Sequence, residues 1–488
     1  MAHNVAREPG TRPNSFFYHI ENGFYFHESD RREGTIYYKC VRAARGCYGR
    51  ASYDPMTGFV LTGIHNHEAD PHYADEMALR RNILQRCENL DYVPFTRIIL
   101  EESRGFHPEV AARVTYARMR TPMRQARMRR YPHHPNNLRE LTALLQDNQH
   151  RVLTLSHDGN DNIYGGSVDD ADGEHHILFV SNRMLQQLKT FHVLHADGTF
   201  DSVPVNRNFA AQVWCILGVW DNTIIPLAWA LMSRKTENAY IAVLHLLLNL
   251  MDQEFDLQRV ITDFEDAEQN AWHIVFGVHT QGCHWHLGRD HMQQLAELDM
   301  LRYVRDIGEV RQIVRECICL ALLPRRRIVP GYLILLRRAR QEGPYIFRIV
   351  RPYLVYVWNS WIRREVRRNR MCVFGSEQRT NNAAESGNKS LNDEVGNHAM
   401  VFNFLEGLVR LEQRSNNNIL GLDRGLRVNR GRKLSSIFQD QRIARLGNQL
   451  LRPHGNINAA IARFLREASH LVDNIIEDFL QRHPRRQQ

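Results

Sequence analysis

The 488-residue sequence predicts a multi-domain chain of mixed class: a small β-rich module, a mixed α/β sheet interrupted by a helical insertion, and a helical C-terminal region. Three observations carry this. At 43% apolar and 24% charged residues, the chain has the make-up of a globular protein able to bury several cores. Aromatic and β-branched runs broken by turn residues fill 15–70, and further β-rich runs lead into alternating helical and strand-like segments. Beyond Leu287 the apolar spacing is helical.

In chain order, 1–14 holds charges and two prolines and reads as a flexible terminus. Residues 15–75 form the β-rich module, with turns at Asp54-Pro55 and Thr57-Gly58. A basic helical region, 76–150, has Pro108 and Pro122 as breakers and a loop at Pro132-His133-His134-Pro135. The first part of the sheet domain, 151–299, opens on a Gly/Asp-rich turn or hairpin at 158–174. Strands follow at 191–200, 209–220 and 223–232, then a helix at 236–251, a strand at 259–262, a helix, and a strand at 278–283. Residues 300–370 read as a helical insertion, 371–405 as a return to the sheet domain, and 406–488 as the helical C-terminal region.

The net charge of +9 is unevenly spread, and of 63 basic side chains only five are lysine. Arginine's planar fork suits phosphate, although codon usage in a GC-rich genome produces the same bias. Residues 96–130 hold nine arginines against three glutamates, 151–300 hold eight basic against twenty acidic residues, and 301–370 hold seventeen arginines against five acids. Carboxylates gathered where metal ions sit, between arginines gathered where phosphates are held, would produce this alternation; solvated helix faces would too. No apolar run reaches the ~18–20 residues of a membrane span, so no membrane partner is expected. The N-terminus lacks an apolar signal segment, and eight unevenly spaced cysteines do not make a secreted disulfide framework. A reducing compartment is expected, with any special cysteine serving a metal.

Cys40 and Cys47, separated by six residues, precede His65-Asn66-His67. Two thiolates and two imidazoles suffice for tetrahedral Zn²⁺, and a module with so few aliphatic residues needs such a staple. With Gly23-Phe24-Tyr25-Phe26, an aromatic ahead of Cys40, and Cys47-Tyr48-Gly49-Arg50-Ala51, residues 15–70 resemble a FLYWCH-type zinc finger, with Tyr38 where the family usually has tryptophan. The resemblance implies a β-rich zinc module for DNA or protein contact.

In the acidic block, Asp197 and Asp263 each follow an apolar strand, a costly place for a carboxylate unless it is paired or metal-bound. Downstream, Asn381 or Asn382 is placed to cap a helix carrying Glu385 in its first turn. Two aspartates and a distant helical glutamate can hold two Mg²⁺ ions, which activate a hydroxyl and stabilise a leaving phosphodiester oxygen. Asp201, Glu265 and Asp266 are neighbouring competitors, and Glu377 is the rival to Glu385.

His195-Ala196-Asp197-Gly198-Thr199-Phe200, Ile261-Thr262-Asp263-Phe264-Glu265, Cys283-His284-Trp285-His286 and Thr380-Asn381-Asn382 with Glu385 stand in the order and spacing of Mutator-like element (MULE) transposases. The resemblance spans 177–405. It implies an RNase H-like core with a DDE triad at Asp197, Asp263 and Glu385 holding Mg²⁺ or Mn²⁺, and it places Cys283 and His286 beside the active site as a C-x-x-H signature. A packed cysteine and a helix-start histidine would read the same.

The expected activity is DNA transposition: binding terminal inverted repeats, cleaving, and joining 3′ ends to target DNA, as a homodimer or higher assembly in the nucleus. Arg113, Arg118, Arg120, Arg124 and Arg127, with Arg325, Arg326, Arg327, Arg337 and Arg338, are the expected phosphate contacts. Tyr353, Tyr356, Trp358 and Trp361 fit either a helical core or stacking on bases. The basic tail around Arg482, Arg485 and Arg486 fits nuclear entry. A domesticated, non-catalytic DNA-binding regulator is the alternative, and an RNase H-like nuclease a third.

Overall fold

The computed structural model describes residues 5–12, 14–21, 23–88, 95–129, 134–204, 209–252, 255–429, 431, 434–453 and 455–484. Arg130, Pro132, His133, Arg485 and Arg486 lie outside them. The chain divides into two compact units, Met1–His134 and Pro135–Gln488.

The first unit begins with an antiparallel meander: β1 (Ala6–Pro9), β2 (Phe16–Glu21), β3 (Phe24–Arg32), β4 (Thr35–Cys40), β5 (Arg50–Asp54) and β6 (Gly58–Leu61). The terminus expected to be flexible is thus a strand. Ala6–Pro9 pairs with Phe16–His19, the turn closes with Gly10 N donating to Ser15 O, and the Arg7 guanidinium lies 3.6 Å over the Phe16 ring. Phe26, Tyr38, Ala51 and Phe59 make the small sheet core.

Helices α1 (Tyr73–Glu88), α2 (Phe95–Glu102), α3 (Pro108–Arg113) and α4 (Tyr116–Met128) enclose a separate apolar core of Leu79, Ile83, Ile98, Val110, Met119 and Met123. Pro108 begins α3, as its missing N–H allows. Pro122 sits inside α4 instead of ending it, because buried Met119, Met123 and Ala126 hold the helix through the lost hydrogen bond. Sheet and helices are tied together across the expected boundary at 75/76: Asp70 accepts from Arg42 at 3.0 Å and from Arg113 at 2.7 and 3.0 Å. Although burial pushes the other way, these guanidiniums hold the Asp70 carboxyl below its usual range.

In the second unit α5 (Leu138–Gln146), expected with the preceding helices, joins the sheet domain, where Thr142 and Arg139 bond His175 and Asp169. The sheet comprises β7 (Tyr164–Asp169), β8 (His175–Phe179), β9 (Val193–Thr199), β10 (Gln212–Trp220), β11 (Thr223–Met232), β12 (Arg259–Thr262) and β13 (His279–Gly282), in the order β13-β12-β9-β10-β11-β8-β7. β13, β12 and β9 are parallel; β9, β10, β11, β8 and β7 are successively antiparallel. α6 (Asn182–Leu188), α7 (Glu237–Leu250) and α8 (Asp266–Phe276) pack on the sheet in one apolar core with Trp214, Ile216, Ala228 and Ala230.

The chain then runs through α9 (His284–Glu297), α10 (Leu301–Asp306), α11 (Gly308–Ile318), α12 (Ile328–Gln341), α13 (Pro344–Val357) and α14 (Glu365–Met371) before α15 (Asn382–Val395) returns to the sheet. α16 (Val401–Asp423), α17 (Leu434–Leu451), α18 (Ile457–Ala468) and α19 (Asp473–Arg482) follow. The helices of the insertion share one core with the last three: Leu335, Val350 and Leu354 pack in the same cluster as Phe464, Leu465 and Ile476. Tyr353 and Trp361 are buried in it, and Tyr356 and Trp358 pack against it, which settles these aromatics as core. Among the described residues no helix is long and apolar enough to cross a membrane.

Candidate functional site

In the first unit Cys40 ends β4, Cys47 closes the loop before β5, and His65 and His67 follow β6. Their ligand atoms converge: Cys40 Sγ lies 3.2 Å from His67 Nε2, Cys47 Sγ 3.4 Å from His65 Nδ1, and the two histidine nitrogens are 3.3 Å apart. A tetrahedron built from Zn–S of ~2.3 Å and Zn–N of ~2.0 Å has N–N edges of ~3.3 Å and S–N edges of ~3.5 Å, so this Cys₂His₂ cluster is compatible with zinc. The His67 Nδ1 lies 2.8 Å from Glu68 O, which fixes the tautomer that leaves Nε2 free for a metal. Arg42 N and Gly49 N donate to the Cys40 and Cys47 sulfurs. Burial raises Cys40 to about 11, whereas at Cys47 burial is outweighed by backbone donors at Gly49 and Asn66, and the thiol is pulled down.

In the second unit three separate elements converge. Parallel pairing sets His195 on β9 opposite Ile261 on β12, so Asp197 and Asp263, each two residues further on, stand side by side at the carboxyl ends of the strands. Glu385 comes from the first turn of α15. That helix is anchored by Asn381: its Nδ2 donates to Ala196 O at 3.0 Å, its Oδ1 lies 3.0 Å from His195 Nδ1, and its backbone N donates to Cys283 Sγ at 3.1 Å. Asn381 does occupy the cap position, but its side chain makes no cap bond; it reaches β9 instead. Gly387 lets α15 lie close on β10, since a Cβ there would meet Leu217 Cδ2 at 2.3 Å.

The C-x-x-H pair works from the start of α9. Cys283 holds Asn381. His286 stands between two of the carboxylates, its Nδ1 2.6 Å from Asp263 Oδ1 and its Nε2 3.5 Å from Glu385 Oε1. Burial pulls this imidazole down, but Asp263 and Cys283 raise it more, to about 10, so it is cationic at neutral pH. Asp197 is raised to about 7, first by burial and then by the charge of Asp263, with Glu385 adding to it. Gly198 N and Asn388 Nδ2 donate to its two oxygens at 2.9 and 2.8 Å.

The competing acids are engaged elsewhere. Glu265 takes the Tyr240 hydroxyl and pairs with Lys235 at 2.7 Å; Asp266 pairs with Arg367 and Arg370. Glu377 lines a cavity with Arg379 and Asp440, and Asp201 lies exposed beyond β9. Sequence reasoning missed Asn388 and Glu268. Asn388 had a signal, three residues past Glu385 on the same helical face. Glu268 is fully buried behind the aspartates, accepts from Trp214 Nε1 at 2.9 Å, and is raised well above its ordinary value by burial.

Two of the expected phosphate contacts serve the fold: Arg113 bonds Asp70, and Arg338 pairs with Glu316, which is 1% exposed. Arg118 donates to Arg113 O, and Arg127 lies 4.3 Å over Phe95. Arg120, Arg124, Arg325, Arg326, Arg327 and Arg337 are exposed.

A family model described as the MULE transposase domain matches residues 193–290. The match runs from β9 into α9 and contains Asp197, Asp263, Cys283 and His286; Glu385 and the Cys₂His₂ cluster lie outside it. Among curated proteins, none matches this chain.

Proposed function

We propose that the chain is a DNA transposase of the MULE type, with Asp197, Asp263 and Glu385 as a DDE triad. The observation that carries this is the convergence of the three carboxylates from β9, the end of β12 and α15, the two aspartates lying within the matched transposase domain. The sheet order supports an RNase H-like core: an antiparallel meander β9-β10-β11 flanked by parallel β12 and β13. The strand meander around the Cys₂His₂ cluster supports the FLYWCH reading of the first unit.

The site suits Mg²⁺ or Mn²⁺. Its donors are hard carboxylate oxygens, and the Asn388 Oδ1 beside them is buried without a hydrogen-bond partner. Asp197 is buried and faces the charge of Asp263, and a divalent cation there would favour its ionised form. When bound, the cation supplies charge stabilisation to an in-line phosphoryl transfer. The chain's own residues do the rest: Asn381 and Cys283 hold the glutamate helix against β9, and His286 holds Asp263 and Glu385 in place and supplies a cation beside them. DNA, gripped by the exposed arginines, is the substrate, and two element ends processed together call for a dimer or higher assembly.

The test is cleavage and strand transfer on element-end DNA with Mg²⁺ or Mn²⁺. Metal-dependent strand transfer abolished by Asp197→Ala is expected. Tight DNA binding by a wild type that does not cleave would support the domesticated regulator and overturn the catalytic reading.

A further inference from the structure

Asn388 touches the triad, yet nothing in the motifs assigns it a role. It follows Glu385 by three residues on α15, and only 8% of it is exposed. Its Nδ2 donates to Asp197 Oδ2 at 2.8 Å, while Gly198 N donates to Oδ1 at 2.9 Å, so each oxygen of this carboxylate has one donor. Among the described residues, this is the side-chain hydrogen bond made to Asp197. It runs directly from the helix that carries Glu385 to the strand that carries Asp197. Gly387, lacking a Cβ, lets that helix lie close against Leu217, within reach of the strand that carries Asp197. The Asn388 Oδ1 is buried without a partner. With the amide nitrogen committed to Asp197, this bare acceptor stays beside the carboxylate, where leaving it unmade is costly. Solvent or substrate held between the carboxylates would satisfy it.

We propose that Asn388 is a positioning residue for the metal-holding carboxylates. Its amide fixes the Asp197 rotamer and sets the Asp197–Glu385 spacing, so that both reach the same cation. This rests on the reading of Asp197, Asp263 and Glu385 as metal ligands, and it gives α15 a second task besides carrying the glutamate. Partners that orient a metal ligand typically change metal affinity by ~10–100-fold when removed.

The experiment is a Mn²⁺ titration of the full-length protein without DNA, read by electron paramagnetic resonance of the free ion and accompanied by thermal melting. It compares wild type with Asn388→Ala, Asn388→Leu and Asp197→Asn. Leucine keeps the branched four-atom outline of the side chain, with added bulk, while removing both donor and acceptor. Asp197→Asn should abolish tight Mn²⁺ binding, and both Asn388 variants should weaken it by about tenfold or more at an unchanged melting temperature. Wild-type Mn²⁺ affinity in both Asn388 variants, with loss in Asp197→Asn, overturns the proposal and leaves the triad standing. Wild-type affinity in Asp197→Asn removes the metal reading itself. Failure of both Asn388 variants to fold assigns the residue to the fold and also overturns the proposal.

Discussion

Gly49→Ala tests the N-terminal metal cluster without altering a ligand. An added Cβ would lie 2.4, 2.6 and 2.8 Å from Cε1, Nδ1 and Nε2 of His65. Comfortable carbon contacts begin at ~3.5 Å, so the imidazole must retreat by about 1 Å, several times the ~0.2 Å tolerance of a metal–ligand bond. Phe24, stacked 4.0 Å from the same ring, limits where it can go. Gly49 is not in the left-handed region, so alanine adds no backbone strain of its own. Structural zinc contributes ~10–16 kcal/mol through four ligands, so losing one costs roughly 3–4 kcal/mol, or about 10²–10³-fold in zinc affinity. Competition against a colorimetric chelator on the full-length protein reads this directly. Gly308→Ala, where an added Cβ meets nothing within 4 Å, is the control and should bind zinc as wild type does. A Gly49→Ala protein with wild-type zinc affinity would refute the ligand geometry.

Arg338→Ala should destabilise the second unit by about 3–5 kcal/mol in chemical denaturation, because it leaves buried Glu316 without its cation; exposed Arg337→Ala should stay within ~0.5 kcal/mol. Arg113→Ala should lower the stability of the first unit by about 2 kcal/mol at pH 7. The folded Asp70 carboxyl titrates below its unfolded value, so its contribution is present above about pH 4 and lost as pH falls; the gap between Arg113→Ala and wild type should narrow in melts toward pH 3. Glu268 behaves oppositely. Its folded value is raised, so it favours the fold at low pH and less so as pH rises above about 4. Glu268→Gln should keep the Trp214 bond and flatten the decline in melting temperature with rising pH; an unchanged decline would show that Glu268 is not its source.

The sheet was legible because its strands are written as apolar runs of ordinary length: the expectations at 223–232 and 259–262 coincide with β11 and β12. β1 was not legible, since Ala6–Pro9 has no strand-like side chains and forms through pairing with Phe16–His19 and the Arg7–Phe16 contact. Pro122 read as a breaker because local propensity ignores the packing of Met119 and Met123. At the site, the residue types and order pointed to Asp197, Asp263, Glu385, Cys283 and His286, and the structure brings these side chains together. Their working parts were hidden. That Cys283 holds Asn381, that Asn381 abandons its cap for β9, and that Arg113 and Arg338 serve carboxylates of their own chain are contacts across 43 to 185 residues or one helical hairpin, which no local pattern encodes.

In the proposed function these three carboxylates, and not their acidic neighbours, run a metal-dependent reaction on DNA. The most direct measurement is the Mg²⁺-dependent DNA cleavage rate of Asp197→Asn, Asp263→Asn and Glu385→Gln beside Asp201→Asn and Glu377→Gln. The first three should each fall by about 10³-fold or more with melting temperatures preserved, and the last two should cleave within a fewfold of wild type. Cleavage retained in any of the first three, or lost in Glu377→Gln, would contradict the assignment.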